Sequence, residues 1–151
     1  MTALGDSFMV KMVLGIMLVM GQLTAPGNGL PQVLMPTYKP TVPIAAGKKG
    51  ELVVSFNLLK GYAINKTPPI NLKLESVAGL KLDKMDFTSS PNDPKSKDEY
   101  YVDLPTLKVP VTAAKAGRYE IPGKLVYFFC NKADGFCSRQ VIDVKVPVTA
   151  Q

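Results

Sequence analysis

An antiparallel β-sandwich is the fold this sequence predicts, and three observations predict it. Apolar residues recur with period two along several short segments. Glycine and proline punctuate those segments at the spacing of turns, and 13 prolines and 12 glycines in 151 residues leave little room for long helices beyond the first 25. Six to eight such strands fall within about 110 residues, and each must bury its apolar face against a second sheet. A closed barrel is the alternative arrangement of the same strands.

At the amino terminus, the stretch from Phe8 to Met20 holds one lysine, Lys11, followed by nine uncharged residues. That is the length of a secretory h-region and well short of the ~20 apolar residues of a membrane span. Residues 1–25 therefore read as a signal peptide, or as a retained anchor that would hold the domain near a membrane. The anchor stays in view because Leu23-Thr24-Ala25 is followed by Pro26, a poor residue just after a cleavage point. No cysteine adjoins the h-region, which excludes a lipoprotein anchor. Export to the periplasm or beyond is the expected location.

Prolines at 26, 31, 36, 40 and 43 with glycines at 27 and 29 make 26–43 read as an extended arm, a linker or an edge-hugging segment that forms no regular ladder. The folded domain is expected over 44–151. Within it, Leu52, Val54, Phe56 and Leu58 alternate with more polar neighbours, as do Ile70, Leu72 and Leu74, and Leu80 and Leu82 flank Lys81. Further strands are expected over Leu107 to Thr112, Tyr119 to Cys130 and Cys137 to Val148, the last with Ile142, Val144, Val146 and Val148 on one face. The tract from Thr88 to Asp98 has no apolar period and reads as one long loop, a place where compact domains carry function.

The net charge is 18 minus 12, or +6, but the lysines are scattered and not interleaved with aromatics along one element. They describe a solvated surface and argue against nucleic acid as a partner. The sequence has no histidine, which removes Ser-His-Asp catalysis, and two thiolates alone do not complete a zinc site. No metal and no cofactor is assigned. Asn65-Lys66-Thr67 has the form of a glycosylation sequon but precedes a proline and reads as incidental.

The distinctive chemistry rests on the two cysteines, Cys130 and Cys137, with six residues between them that include Asp134-Gly135. Such a loop joins two strands as a hairpin and lets the sulfurs face each other. In an exported protein the oxidised state is the default. On spacing alone the pair is a structural staple, contributing roughly 2 to 3 kcal/mol by chain entropy. Lys132 and Arg139 favour a thiolate here, whereas Asp134 and the apolar Phe128, Phe129 and Phe136 oppose one; the aromatics read most simply as core.

The surrounding motifs add a second reading. Gly61-Tyr62-Ala63-Ile64-Asn65, Lys97-Asp98-Glu99-Tyr100-Tyr101, Val109-Pro110-Val111, Lys124-Leu125-Val126-Tyr127-Phe128-Phe129-Cys130, Gly135-Phe136-Cys137 and Val146-Pro147-Val148 follow one another in a recognisable order and spacing. Over about residues 45 to 149 the chain resembles the disulfide bond corrector family, the amino-terminal periplasmic domain of the thiol:disulfide interchange protein DsbD.

The resemblance implies an immunoglobulin-like sandwich whose paired cysteines pass electrons between a thioredoxin-like donor and other periplasmic redox proteins. It makes Cys137 the attacking thiol and Cys130 its partner, both catalytic and joined in a disulfide. It makes Asp98, Glu99, Tyr100 and Tyr101 a cap segment, with Tyr100 as the lid over the sulfurs. The chain differs from the family pattern in having six rather than five residues between the cysteines, Ser138-Arg139-Gln140 where prolines are usual, and Ala63 where many relatives carry histidine. Its reductant is expected to be another protein. The competing expectation is an immunoglobulin-like binding or structural module in which the disulfide only staples a hairpin.

Overall fold

A computed structural model describes residues 29–151, and the leader and the start of the proline arm, residues 1–28, lie outside the described residues. From Pro31 onward the chain forms nine strands: β1 (Leu34–Pro40), β2 (Lys49–Leu58), β3 (Tyr62–Ile64), β4 (Asn71–Leu74), β5 (Leu80–Leu82), β6 (Asp86–Thr88), β7 (Leu107–Ala113), β8 (Gly117–Asn131) and β9 (Cys137–Ala150). One sheet has the order β1-β2-β7-β5. In the other, β9 runs along one edge of the long β8, β3 and β4 lie along its opposite edge, and β6 is outside β4. All pairings between these strands are antiparallel. Two separate sheets make this a sandwich with the layer architecture of immunoglobulin-like domains, not a barrel.

The core lies between the sheets and is built from the alternating positions. Leu52, Val54, Phe56, Leu107, Val109 and Val111 face inward from the first sheet, against Leu72, Ile121, Leu125, Tyr127, Phe129 and Val146 from the second. Tyr62 meets Phe129 edge-on at 5.7 Å between ring centres. Gly123 sits where β4 crosses close to β8: a Cβ there would stand 2.5 Å from the Lys73 carbonyl oxygen. No larger residue fits that position without moving the backbone.

The proline arm needs a correction. Seven of its residues, Leu34–Pro40, form a full ladder with β2, from Leu34 opposite Leu58 to Pro40 opposite Leu52. Pro36 and Pro40 are compatible with it because they share a parity. The N–H groups that reach β2 belong to the other parity, as Thr41 N–H to Glu51 O at 3.0 Å illustrates. Even-numbered nitrogens face away from β2, and that of Leu34 binds the Tyr127 hydroxyl at 3.0 Å. On an edge strand the prolines forfeit no ladder bond.

Gln140 closes this corner of the sandwich. Its Oε1 accepts from the Tyr127 hydroxyl and from Val33 N–H (3.1 Å), and its Nε2 donates to Pro31 O (3.0 Å). Burial pushes the Tyr127 phenol up, so it stays a donor to Gln140. At the far end of β9, Ile44 pairs with Ala150 in a parallel bridge.

Candidate functional site

The β8–β9 ladder runs from Gly117 opposite Ala150 to Cys130 opposite Cys137. Its last rung is the disulfide, with S–S 2.00 Å and Cα–Cα 4.0 Å. The next bond outward is Asn131 N–H to Phe136 O at 2.7 Å, which makes the cysteine rung a position where facing side chains are closest. The hairpin loop beyond it organises itself. Ala133 N–H binds Asn131 Oδ1 (2.8 Å), Phe136 N–H binds Asp134 Oδ1 (2.9 Å), and Gly135 takes a φ of +73° that suits glycine.

Along β8 the odd-numbered residues Leu125, Tyr127 and Phe129 point into the core, so Val126, Phe128 and Cys130 lie on the outer face of the sheet. Cys137, Arg139 and Val141 continue that outer face on β9 and are exposed. Cys130 is not: only 5% of it is accessible. A residue on the outer face of a sheet is buried only if something lies over it.

The cover is Tyr100. Asn65, just past β3, forms an antiparallel bridge with Tyr100, flanked by Lys66 N–H to Glu99 O (2.7 Å) and Tyr101 N–H to Ile64 O (3.0 Å). Asn65 N–H in turn binds Phe128 O at 3.0 Å, so the cap segment is hung on the sheet by a chain of backbone bonds. Ala63, directly opposite Cys130, is 7% exposed beneath the same cover. The Tyr100 hydroxyl lies 3.5 Å from Cys130 Sγ, and Asn65 Oδ1 lies 3.7 Å from it. A disulfide sulfur carries no proton, so Tyr100 is the donor toward sulfur and the Asn65 contact is non-bonded. The carboxylate of Glu99, as a hydrogen-bond acceptor, holds the Tyr100 phenol above its ordinary range. That hydroxyl therefore stays protonated and keeps its proton for the sulfur.

The four cap residues fall into different settings. Asp98 and Glu99 are exposed, Tyr100 is half-buried over the sulfur, and Tyr101 faces inward. The Tyr101 hydroxyl donates to Ser90 O at 2.6 Å and lies 3.2 Å from Ser89 Oγ, so this residue anchors the loop to the core. The loop after β6 is knitted further by Asp93, whose Oδ2 accepts from Val102 N–H (2.7 Å) and Asp103 N–H (2.9 Å) and whose Oδ1 accepts from Lys95 N–H (3.0 Å). Burial alone would raise the Asp93 pKa, but these N–H donors and the Lys66 ammonium outweigh it and hold the carboxyl below its usual value. Ser96 Oγ donates to Tyr100 O (2.6 Å), and Lys66 Nζ donates to Ser96 O (2.8 Å).

Two shallow depressions flank the disulfide. One, of about 250 Å³, is lined by Asn65, Phe128, Cys137 and Arg139; the other, of about 290 Å³, by Ala63, Tyr100, Cys130 and Lys132. The aromatic residues read as core separate accordingly. Phe129 is core, Phe128 lies half-buried on the outer face, and Phe136 is 50% exposed beside Cys137. Asn65 was legible in sequence as part of a sequon and as the end of the Gly61-Tyr62-Ala63-Ile64-Asn65 motif, neither of which shows that it holds the backbone position on which the cap hangs. Among the described residues no cluster of three or more Cys, Asp or Glu side chains is placed to hold a metal ion.

No protein-family model matches the chain, and no curated protein is detectably similar to it. Among solved structures, a cohesin module from a family 33 glycoside hydrolase of Clostridium perfringens matches at 12% identity and a TM-score of 0.38. The match covers 80% of this chain and 100% of that one. A likeness of that size carries no argument about function.

Proposed function

We propose that this domain is an exported thiol-disulfide exchange module that passes electrons between a thioredoxin-like donor and other periplasmic partners through Cys130 and Cys137. The observation that carries the reading is the asymmetry of the pair, with Cys137 exposed and Cys130 covered by Tyr100. A purely structural staple has no need of a cover hung on a bridge of its own. An exchange site does, because covering one sulfur leaves the other as the point of attack and fixes which sulfur leaves.

The chemistry follows from access. A partner thiolate reaches Cys137 Sγ, forms a mixed disulfide there, and breaks the bond to Cys130, which leaves with the electron pair. A second thiol of the partner then attacks its own sulfur in the mixed disulfide and releases Cys137. The domain has gained two electrons and the partner has become a disulfide. In the reverse direction Cys137 attacks and Cys130 resolves. Tyr100 directs the step to Cys137: a thiolate could reach Cys130 only by turning that side chain aside, whereas attack at the exposed Cys137 leaves the phenol over the Cys130 sulfur.

The disulfide also fits an oxidising compartment, periplasmic or extracellular. The alternative, a binding module with a stapled hairpin, is the weaker reading. Register is already set by a long ladder and the turn by its own hydrogen bonds, so the disulfide is not what fixes the hairpin's geometry. The test is capture: the full chain carrying Cys130→Ser should accumulate a mixed disulfide through Cys137 with a thioredoxin-like protein. Absence of any adduct, with wild-type folding, would overturn the proposal.

A further inference from the structure

We propose that Tyr100 is a catalytic hydrogen-bond donor as well as a lid, its hydroxyl binding Cys130 Sγ as that sulfur leaves as a thiolate. The inference rests on the exchange reading and goes beyond it, because a lid requires only a ring. Attack at the exposed Cys137 makes Cys130 the leaving group, and a leaving thiolate in a covered position is costly without a donor. Two side chains meet that sulfur among the described residues, and the facing atom of Asn65 is an oxygen with no proton to give. The Tyr100 hydroxyl, at 3.5 Å, supplies one.

The electron count is simple. The incoming thiolate's pair forms the bond to Cys137 Sγ, the Cys137–Cys130 bond breaks, and its pair goes to Cys130. The phenol keeps its proton throughout and donates a hydrogen bond to the new charge.

The sulfur itself gives the arrangement a direction. In the oxidised protein it is neutral and a weak acceptor. Once Cys130 carries charge, the hydrogen bond from the Tyr100 hydroxyl strengthens as the S–S bond breaks. An interaction made mainly in the transition state accelerates the step. Other charged groups at the pair are Lys132, which lines the same depression, and Arg139, which lines the one at Cys137; Lys66 is engaged with Ser96 O.

The test uses the full oxidised chain, dithiothreitol as reductant, and two variants that separate the hydroxyl from the ring. Tyr100→Phe keeps the cover and should slow reduction by roughly tenfold, the loss of one hydrogen bond to a charged group. Tyr100→Ala removes the cover and should expose Cys130. In a Cys137→Ser background, Tyr100→Phe should also raise the Cys130 thiol titration, followed by thiolate absorbance, by about one pH unit. A structural role for the hydroxyl would not move that titration. Reduction of Tyr100→Phe at or above the wild-type rate, with the Cys130 titration unchanged, would overturn the inference. That result leaves the exchange reading intact, since the exchange reading fails separately, through absence of a mixed disulfide at Cys137.

Discussion

Asn65 and Tyr100 face each other across an antiparallel bridge that belongs to none of the nine strands, and this pairing is what sets a phenol over Cys130. The bridge is made by backbone groups. Replacing the Asn65 side chain with alanine should therefore leave the cover in place and the rate of reduction by dithiothreitol within about twofold of wild type. Lys66→Pro removes the N–H that binds Glu99 O at 2.7 Å. It should loosen the cap and speed reduction about fivefold, the equivalent of one net hydrogen bond. Equal effects of the two substitutions would show that the bridge does not hold the lid.

The cap loop should release at acid pH. Asp93 accepts three backbone N–H bonds, and its folded pKa lies below that of an ordinary carboxyl. A depressed carboxyl contributes stability that is fully present above its unfolded pKa of about 3.9 and is lost as pH falls through the folded value. Amide exchange at Val102 and Asp103 should accelerate in that window relative to the β8 amides, after correction for intrinsic rates. Asp93→Ala should show the acceleration already at neutral pH and lose the acid step.

Removing the disulfide should leave the fold standing. The ladder extends from Gly117 opposite Ala150, and the turn at Gly135 is held by the Asn131 and Asp134 side chains. The double substitution Cys130→Ala, Cys137→Ala should cost no more than roughly 2 to 3 kcal/mol. A chain that no longer gives a cooperative thermal transition would show that the ladder and turn do not hold the fold without the disulfide.

Gln140 offers a control far from the sulfurs in function although it is three residues from Cys137. Gln140→Ala strands the buried Val33 N–H and removes the acceptor of the Tyr127 hydroxyl. It should lower stability by about 1 to 3 kcal/mol while leaving the reduction rate unchanged. The check is a denaturant titration paired with the dithiothreitol assay.

Much of this was legible in the sequence, for reasons of period and length. The strands β2, β7, β8 and β9 announce themselves because an alternating apolar face must be buried. β3 and β6 do not, since neither sets two apolar residues on either side of a polar one, as Leu80 and Leu82 flank Lys81 in β5. β1 was hidden by Pro36 and Pro40, whose meaning depends on which way each nitrogen points, and only pairing with β2 reveals that. The cysteine pair could be read as a hairpin disulfide from its loop. That Cys130 lies on the outer face and is nonetheless covered could not, because the cover comes from a segment 30 residues away, hung on the backbone at Asn65. The motif order drew attention to Asp98 through Tyr101, but only the structure separates Tyr100 over the sulfur from Tyr101 in the core.

The reduction potential of the Cys130–Cys137 pair tests the central claim most directly, because it needs no partner. A covered exchange site should equilibrate with a glutathione or thioredoxin redox buffer at about −180 to −270 mV, the range of proteins that trade disulfides. A value below about −300 mV, where structural disulfides lie, would contradict the account and leave the pair as a staple.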